Sequence, residues 1–330
     1  MRPVPVYTTY RCTMDYRKLI GFGKSSFVVS IPKDWIERHG LVKGSTVTLT
    51  EENESIIISP APVKKSRADE TRTITTDNKS DKLLQREIVS AYIAGSRTII
   101  ITGADLRTRR RMITESFDTL IALEVVKQDD ESIVAKDFLD IEDIELKDLV
   151  RRIDNNIRSM FIETIELLED PTNKDLLTHI SERDDSINKL AFLSFRSIKE
   201  LLMNPSKTRD SMIDLFHTWT TVLHLERCGD ELKRAGRIAS ESTMSDRELG
   251  ELKNALERLY TLYKNGLTTY YESSVNKDKA YLLSEQCRDF QRETKAKMGS
   301  AEPPVVQASE RLINLASYLE EVLRLTYDFL

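Results

Sequence analysis

Four stretches with helical periodicity carry an acidic residue followed four positions later by a second acidic residue or an amide. Residues at i and i+4 lie on one face of an α-helix, so each pair can present two oxygen ligands to one hard cation. Because 31% of the chain is charged, a single isolated pair more often belongs to a solvated helix face. The candidate metal ligands are Asp184 and Asn188, Glu226 and Asp230, Glu285 and Asp289, and Glu310 and Asn314.

A second candidate for chemistry is the segment GFGKSS, residues 21–26, which ends in the Gly-Lys-Ser of a nucleotide-binding phosphate loop. Such a loop needs a glycine five positions before its Gly-Lys-Ser, so that backbone N–H groups curl around the phosphates, but Lys18 stands there. The loop also leads from a strand into a helix, whereas the β-branched SFVVSIP predicts another strand. We therefore expect no nucleotide cofactor, and Lys24 needs a different role.

Patterns typical of enzymes are weak in this chain. Dicarboxylate-iron oxidases use Glu-x-x-His motifs within a four-helix bundle, and the nearest approach is Asp214 with His217. His217 and His224 stand seven apart on one predicted helix, which favours a shared packing face over a pair of ligands. The sequence shows no Ser/His/Asp or Cys/His spacing that stands out as nucleophilic. We therefore expect that the protein is not an enzyme.

Length and composition narrow the class of protein further. A chain of 330 residues predicts two or three domains. It has no run of about 18 apolar residues, and its first residues, MRPVPVYTTYRC, lack the apolar region of a signal peptide, so we expect a cytoplasmic protein without a transmembrane segment. Cys12, Cys228 and Cys287 are distant from one another, which predicts reduced thiols. A net charge of −5 permits one basic module without a chain-long nucleic-acid surface.

The amino-terminal part predicts short strands around one helix: RKLIGF, SFVVSI, the helical PKDWIERHG, STVTLTE and SIIISP. Pro32 suits the first turn of that helix, and Gly40 suits the position just after its end. A core this small is marginal alone, so we expect domain 1–62 to need a partner chain. The polar stretch that follows predicts a linker over 63–80.

Residues 81–143 predict a small α/β unit, because helix, strand, helix and two further strands alternate there. The basic run Arg107–Arg111 lies on its second helix. This run can be interpreted as a nucleic-acid patch or as a solvated helix face. Its position on a short surface helix favours the solvated face.

From residue 144 onward the sequence predicts about six amphipathic helices in two triplets, over 144–242 and 245–330. The breaker DPTN separates the first two helices, and SDRE at 245–248 is a capping box that opens the second triplet. The four acidic or amide pairs fall on the second and third helix of each triplet. This regularity is stronger evidence for a shared function than any single pair.

These motifs together resemble a known combination of domains. The segment RKLIGFGKSSFVVSIPKDWIERHGLVKGSTVTLTEENESIIISP resembles a SpoVT/AbrB-type swapped-hairpin DNA-binding domain, and RRIDNNIRSMFIETI and LERCGDELKRAGRIA resemble PhoU. In this order they are similar to archaeal PhoU-type phosphate uptake regulators. The resemblance implies a multidomain, mainly α-helical protein: an N-terminal swapped-hairpin β domain, a small α/β middle unit, and a C-terminal PhoU-like pair of three-helix bundles.

The resemblance also implies partners and site residues. Swapped-hairpin domains are dimers that contact double-stranded DNA through basic residues, which here correspond to Arg17, Lys18, Lys24 and Lys33. PhoU-like bundles hold metal clusters through E(D)-x-x-x-D motifs, which implies a divalent or ferric ion that the sequence does not distinguish among Fe, Zn, Mg and Mn. Asn188 and Asn314 replace an aspartate of that motif, and an amide oxygen coordinates a hard cation more weakly.

Three functional hypotheses follow. The first is a homodimeric transcription regulator of phosphate homeostasis, with a DNA-binding hairpin domain and a metal-binding PhoU-like sensor. The second is a PhoU-like adaptor that docks on phosphate transporter components at the membrane, with the hairpin domain serving only dimerisation. The third, an enzyme with a carboxylate-metal site, ranks last because no catalytic motif supports it.

Overall fold

The computed structural model describes residues 16–24, 26–52, 55–60, 71–139, 144–203, 208, 210–272 and 276–329. The chain divides into two units, Met1–Lys65 and Ser66–Leu330. None of the helices in these described ranges is long and apolar enough to cross a membrane. Cys228 and Cys287 are free, buried thiols, and Cys12 lies outside the described residues.

The described residues of the first unit form two antiparallel hairpins and one short helix between them. Gly23 has a φ of 73°, which a glycine adopts without steric cost, and it turns the first hairpin. Gly40, with a φ of 61°, follows the helix end as predicted. The elements are β1 Ile20–Phe22, β2 Ser26–Val28, α1 Lys33–Arg38, β3 Val47–Glu52 and β4 Ser55–Pro60.

No side chain described in this first unit is buried. Apolar side chains on both hairpins face solvent instead: Phe22 is 71% exposed, Phe27 73%, Leu49 65% and Ile56 69%. Hydrophobic side chains in a stable fold are normally removed from water, so the described residues of this unit form no core of their own.

The second unit begins with a four-stranded mixed sheet in the order β5-β6-β8-β7. Strands β5 and β6 are parallel and joined by a crossover helix, whereas β8 runs antiparallel to both β6 and β7. The elements are β5 Thr71–Thr75, α2 Asp81–Ile93, β6 Thr98–Thr102, α3 Leu106–Asp118, β7 Leu123–Gln128 and β8 Ser132–Asp137.

The linker predicted over 63–80 is wrong for its second half, since Thr71–Thr75 is a strand of the sheet. This edge strand buries only Ile74 in the segment TRTIT, so its sequence lacks the apolar alternation that marks a strand. Residues 61–70 lie outside the described ones. The sheet therefore starts before the predicted boundary at residue 81.

Six long helices follow the sheet within the described ranges, as predicted. Ser245 and Glu248 form the predicted capping box of the fourth helix, and Ser211 and Asp214 form a second one. The helices are α4 Leu146–Glu169, α5 Lys174–Met203, α6 Met212–Glu241, α7 Asp246–Tyr271, α8 Lys277–Lys297 and α9 Pro303–Phe329.

The six helices pack as two triplets, α4–α6 and α7–α9, that share one hydrophobic core. The triplets meet mainly where α6 packs against α9 and α4 packs against α7. The sheet has a separate core between its strands, α2 and α3, and Phe192 of α5 packs against that core. Helix α5 therefore belongs to the helical bundle and also contacts the sheet.

Candidate DNA-binding hairpin and acidic helix pairs

The basic residues predicted to contact DNA all lie in the first unit and are exposed. Arg17 and Lys18 precede β1, at the open end of the first hairpin, and Lys24 lies in its turn. Lys33 begins α1 and forms an exposed ion pair with Glu37, with Nζ 3.4 Å from Oε1. An exposed pair of this kind contributes little to stability, so Lys33 can exchange its partner at small cost.

The basic run Arg107–Arg111 in the second unit is largely neutralised by acidic neighbours. Arg109 pairs with Asp105 at 2.9 Å, and Arg110 and Arg111 each have a carboxylate within 3.0 Å. Because these arginines are paired with carboxylates, the run fits the solvated helix face that the sequence favours better than a nucleic-acid patch.

Two of the predicted metal-ligand pairs face each other between α5 and α6. We call Asp184, Glu226 and Asp230 the α5–α6 acidic cluster. Gly229 allows the two helices to approach closely here, because a Cβ at this position would lie 3.0 Å from Cδ1 of Ile187 and 3.8 Å from Oδ1 of Asp184. The packing of α5 against α6 therefore brings together acidic residues from two of the predicted pairs, a contact between helices that the spacing within each helix does not predict.

Asp184 is the most buried member of the cluster, at 2% exposure. Its Oδ2 accepts a hydrogen bond from Nζ of Lys233 at 2.6 Å and a longer one from Nδ2 of Asn188 at 3.4 Å. Burial raises the pKa of Asp184, while the hydrogen bond and charge of Lys233 oppose that rise. Asp184 thus contacts its predicted partner Asn188 and also Lys233, which was not among the predicted ligands.

Glu226 and Asp230 have different surroundings on α6. Asp230 pairs with Arg234, its Oδ2 lying 2.9 Å from Nη2. Burial, with the negative charges of Asp230 and Asp184, raises the pKa of Glu226 to about 7. The three carboxyl groups are therefore close enough to influence one another electrostatically.

In the second triplet the predicted acidic ligands on α8 and α9 form ion pairs with arginines. Arg288 bridges two carboxylates, with Nη1 2.6 Å from Oε1 of Glu285 and Nε 2.7 Å from Oε1 of Glu320. Asp289 pairs with Arg292, and Glu310 lies 3.7 Å from Arg311. Asn314 is half-buried on α9.

A metal cation does not fit these residues as they are arranged. Across the described ranges, no three His, Cys, Asp or Glu side chains come together in a group that could hold a metal ion. Four of the candidate carboxylates accept hydrogen bonds from lysine or arginine instead, and these side chains offer donors alone: Asp184, Asp230, Glu285 and Asp289.

Lys233 and Arg288 are the residues that the sequence reasoning missed. A signal for them exists, because basic residues follow the acidic ones within one helical turn in ERCGDELKR and EQCRDFQR. That signal predicts pairing along a helix. It does not predict the contact from Lys233 on α6 to Asp184 on α5, which are 49 positions apart.

Comparisons with known proteins agree with the two domain types. A family model described as "Antidote-toxin recognition MazE, bacterial antitoxin" matches residues 22–68, and the PhoU domain model matches residues 150–239. A crystal structure of PhoU from Pseudomonas aeruginosa is similar, at 16% identity and a TM-score of 0.45, over 55% of this chain and 93% of that one. No curated protein matches the chain.

The chain therefore carries a MazE/AbrB-like domain of the antitoxin type, followed by a PhoU domain. The matched PhoU segment corresponds to the first helix triplet, α4–α6. The predicted order of the two domains is confirmed.

Proposed function

We propose that the protein is a non-enzymatic, DNA-binding regulator of phosphate uptake and homeostasis. In this proposal the first unit forms a homodimer that binds duplex DNA, and the PhoU-like helices sense or transmit phosphate status. The proposal is supported by the MazE/AbrB-like domain and the PhoU domain occurring in one chain.

The observation that carries the proposal is the composition of the first unit's surface. Its hairpins expose Phe22, Phe27 and Leu49, and basic residues lie at both ends of the first hairpin. A second copy of the unit can cover the apolar side chains, because two small units together bury more surface than either buries alone. The basic residues can stay at the surface of such a dimer.

A two-fold dimer presents each of these basic residues twice. Phosphate contacts by lysine and arginine release counterions from DNA, and this release supplies most non-specific affinity and makes it depend on salt. The closed symmetry of a dimer also matches the two-fold symmetry of a palindromic site. We infer that Lys24, in the hairpin turn, contacts the DNA backbone without reading bases.

Salt dependence of DNA binding tests this proposal. If Lys24 and its counterpart each neutralise one phosphate, Lys24→Ala should flatten the slope of log K against log [salt] by about two. The measurement is fluorescence anisotropy with labelled duplex DNA over a range of KCl concentrations, using the full-length protein.

The matched control is Lys82→Ala, which removes an exposed lysine from α2 in the second unit and should leave the slope unchanged. An unchanged slope in Lys24→Ala would remove Lys24 from the interface. If the unmodified protein shows no salt-sensitive affinity at all, the adaptor hypothesis replaces this one: the first unit then serves dimerisation, and the PhoU-like helices dock on transporter components.

A further inference from the structure

We propose that Lys233 is a built-in cation of the α5–α6 acidic cluster, which makes this helix triplet independent of metal. The ammonium group lies at Asp184, where a divalent cation bound by these acidic pairs would be expected. Removal of Lys233 should then create a cation-binding site that the unmodified protein lacks. The inference concerns the helical unit and does not depend on DNA binding.

The position of the ammonium group is the first argument. Nζ of Lys233 is 2.6 Å from Oδ2 of Asp184, and the lysine side chain is 37% exposed. Its aliphatic stem can cover apolar surface, while the charged end reaches the buried carboxylate. A metal ion at the same oxygen would lie close to the ammonium group, and the repulsion between the two cations disfavours its binding.

The need for a positive charge at this point is the second argument. Asp184 is 2% exposed, and an ionised carboxylate in such a position is costly unless it is paired and hydrogen-bonded. Asn188 donates to the same oxygen but brings no charge. Among the described residues, Lys233 is the basic side chain that forms an ion pair with Asp184, so the lysine meets this requirement without a bound metal.

The acidic ligand candidates of the second triplet are also paired with basic side chains, here within one helix and at more exposed positions. Glu285 pairs with Arg288, Asp289 with Arg292, and Glu310 with Arg311. Acidic residues that the motif would assign to metal are thus neutralised by basic side chains in both triplets.

Manganese binding to Lys233→Met provides the test. Methionine keeps much of the stem volume and removes the charge. We expect the unmodified full-length protein to bind no Mn²⁺ at this cluster and the variant to gain one site, with affinity raised about tenfold or more by removal of the adjacent positive charge. Electron paramagnetic resonance separates free from bound Mn²⁺, and thermal unfolding with Mn²⁺ or EDTA reports whether the ion stabilises the fold.

The matched control is Lys253→Met. Lys253 also pairs with a carboxylate on another helix, Glu169, but outside the α5–α6 acidic cluster. It should gain no Mn²⁺ site. In Lys233→Met combined with Asp184→Asn the gain should disappear, which would locate the new site at the cluster.

Two outcomes would overturn the proposal. One is unmodified protein that already binds Mn²⁺ as tightly as Lys233→Met. The other is a gain that survives the additional Asp184→Asn change. If Lys233→Met does not fold, Lys233→Gln retains a donor for Asp184 without the charge, and the same expectation and the same contrary results apply to it.

Discussion

Lys24 lies in a hairpin turn, and the strand that follows it distinguishes this turn from a phosphate loop. Gly23 has a φ of 73°, and β2 begins at Ser26, so the Gly-Lys-Ser sequence is followed by a strand as predicted. A phosphate loop places its lysine ahead of a helix, whose N-terminal N–H groups contribute to binding the phosphates. Here the lysine is an exposed point charge on a hairpin, which suits contact with a DNA backbone.

His224 allows a prediction at the scale of one residue. Burial lowers its pKa, the charge of Arg227 lowers it further, and Glu321 opposes this effect. Its Nδ1 is buried without a hydrogen-bond partner among the described residues. Because the unfolded state binds this proton more readily, His224 reduces folding stability as pH falls through the ordinary histidine pKa, about 6.5.

We therefore expect His224→Phe to lose less stability than the unmodified protein between pH 7 and pH 5. Urea unfolding at several pH values measures the free energy in each variant. His179→Phe, at an exposed position on α5, is the control and should follow the unmodified protein. Identical pH dependence in His224→Phe and the unmodified protein would contradict the assignment.

At the scale of elements, Arg196 connects α5 to the sheet. Its side chain is 1% exposed, stacks 4.6 Å above the ring of Tyr92, and donates to the carbonyl oxygen of Tyr92 at 2.8 Å. It also forms an ion pair with the buried Asp137 at the end of β8. Arg97 pairs with the same carboxylate, its Nη1 lying 2.9 Å from Oδ2 of Asp137. Helix α5 thus contributes Asp184 to the α5–α6 acidic cluster and also binds the sheet through Arg196.

Replacing Arg196 should therefore destabilise the whole second unit. Arg196→Met leaves Asp137 buried with one partner fewer, and loss of one member of a buried ion pair costs about 3 kcal/mol. Urea unfolding followed by circular dichroism measures the change. Arg111→Met breaks an exposed ion pair with Glu115 and should cause no measurable loss. Equal stability of the two variants would show that Arg196 does not hold the elements together.

The sequence predicts most elements because their local signals are strong. The caps Ser245 and Glu248 and the apolar spacing of α4 each depend on neighbours within one or two helical turns. Strand β5 is missed because it buries only Ile74 and depends on pairing with β6 for its structure.

The α5–α6 acidic cluster also has features that the local sequence predicts and others that depend on helix packing. The i, i+4 spacing places Glu226 and Asp230 on one face, and this follows from helix geometry alone. The pairing of Lys233 with Asp184 depends on how α5 and α6 are packed, which no local pattern contains. Sequence reasoning thus finds the acidic residues but not the cation beside them.

At the scale of the whole molecule, the two units differ in how they bury apolar side chains. The described residues of the second unit include two clusters of buried residues, whereas those of the first unit include no buried side chain. Large apolar side chains that remain exposed in an isolated chain mark an interaction surface. The homodimer that we propose would resolve this difference, since each copy could supply the surface that the other lacks.

Phe27 tests whether that interface exists. It is 73% exposed on β2, and Phe27→Ser removes an aromatic side chain whose burial in a dimer would contribute roughly 1.5–3 kcal/mol for each copy. We expect dissociation at concentrations where the unmodified protein is dimeric, measured by sedimentation velocity over a dilution series. Phe216→Ser, at a position 56% exposed on α6, is the control and should remain dimeric. A Phe27→Ser protein as dimeric as the control would show that the first hairpin lies outside the interface, and the exposed side chains of the β3–β4 hairpin would then be the surface to test.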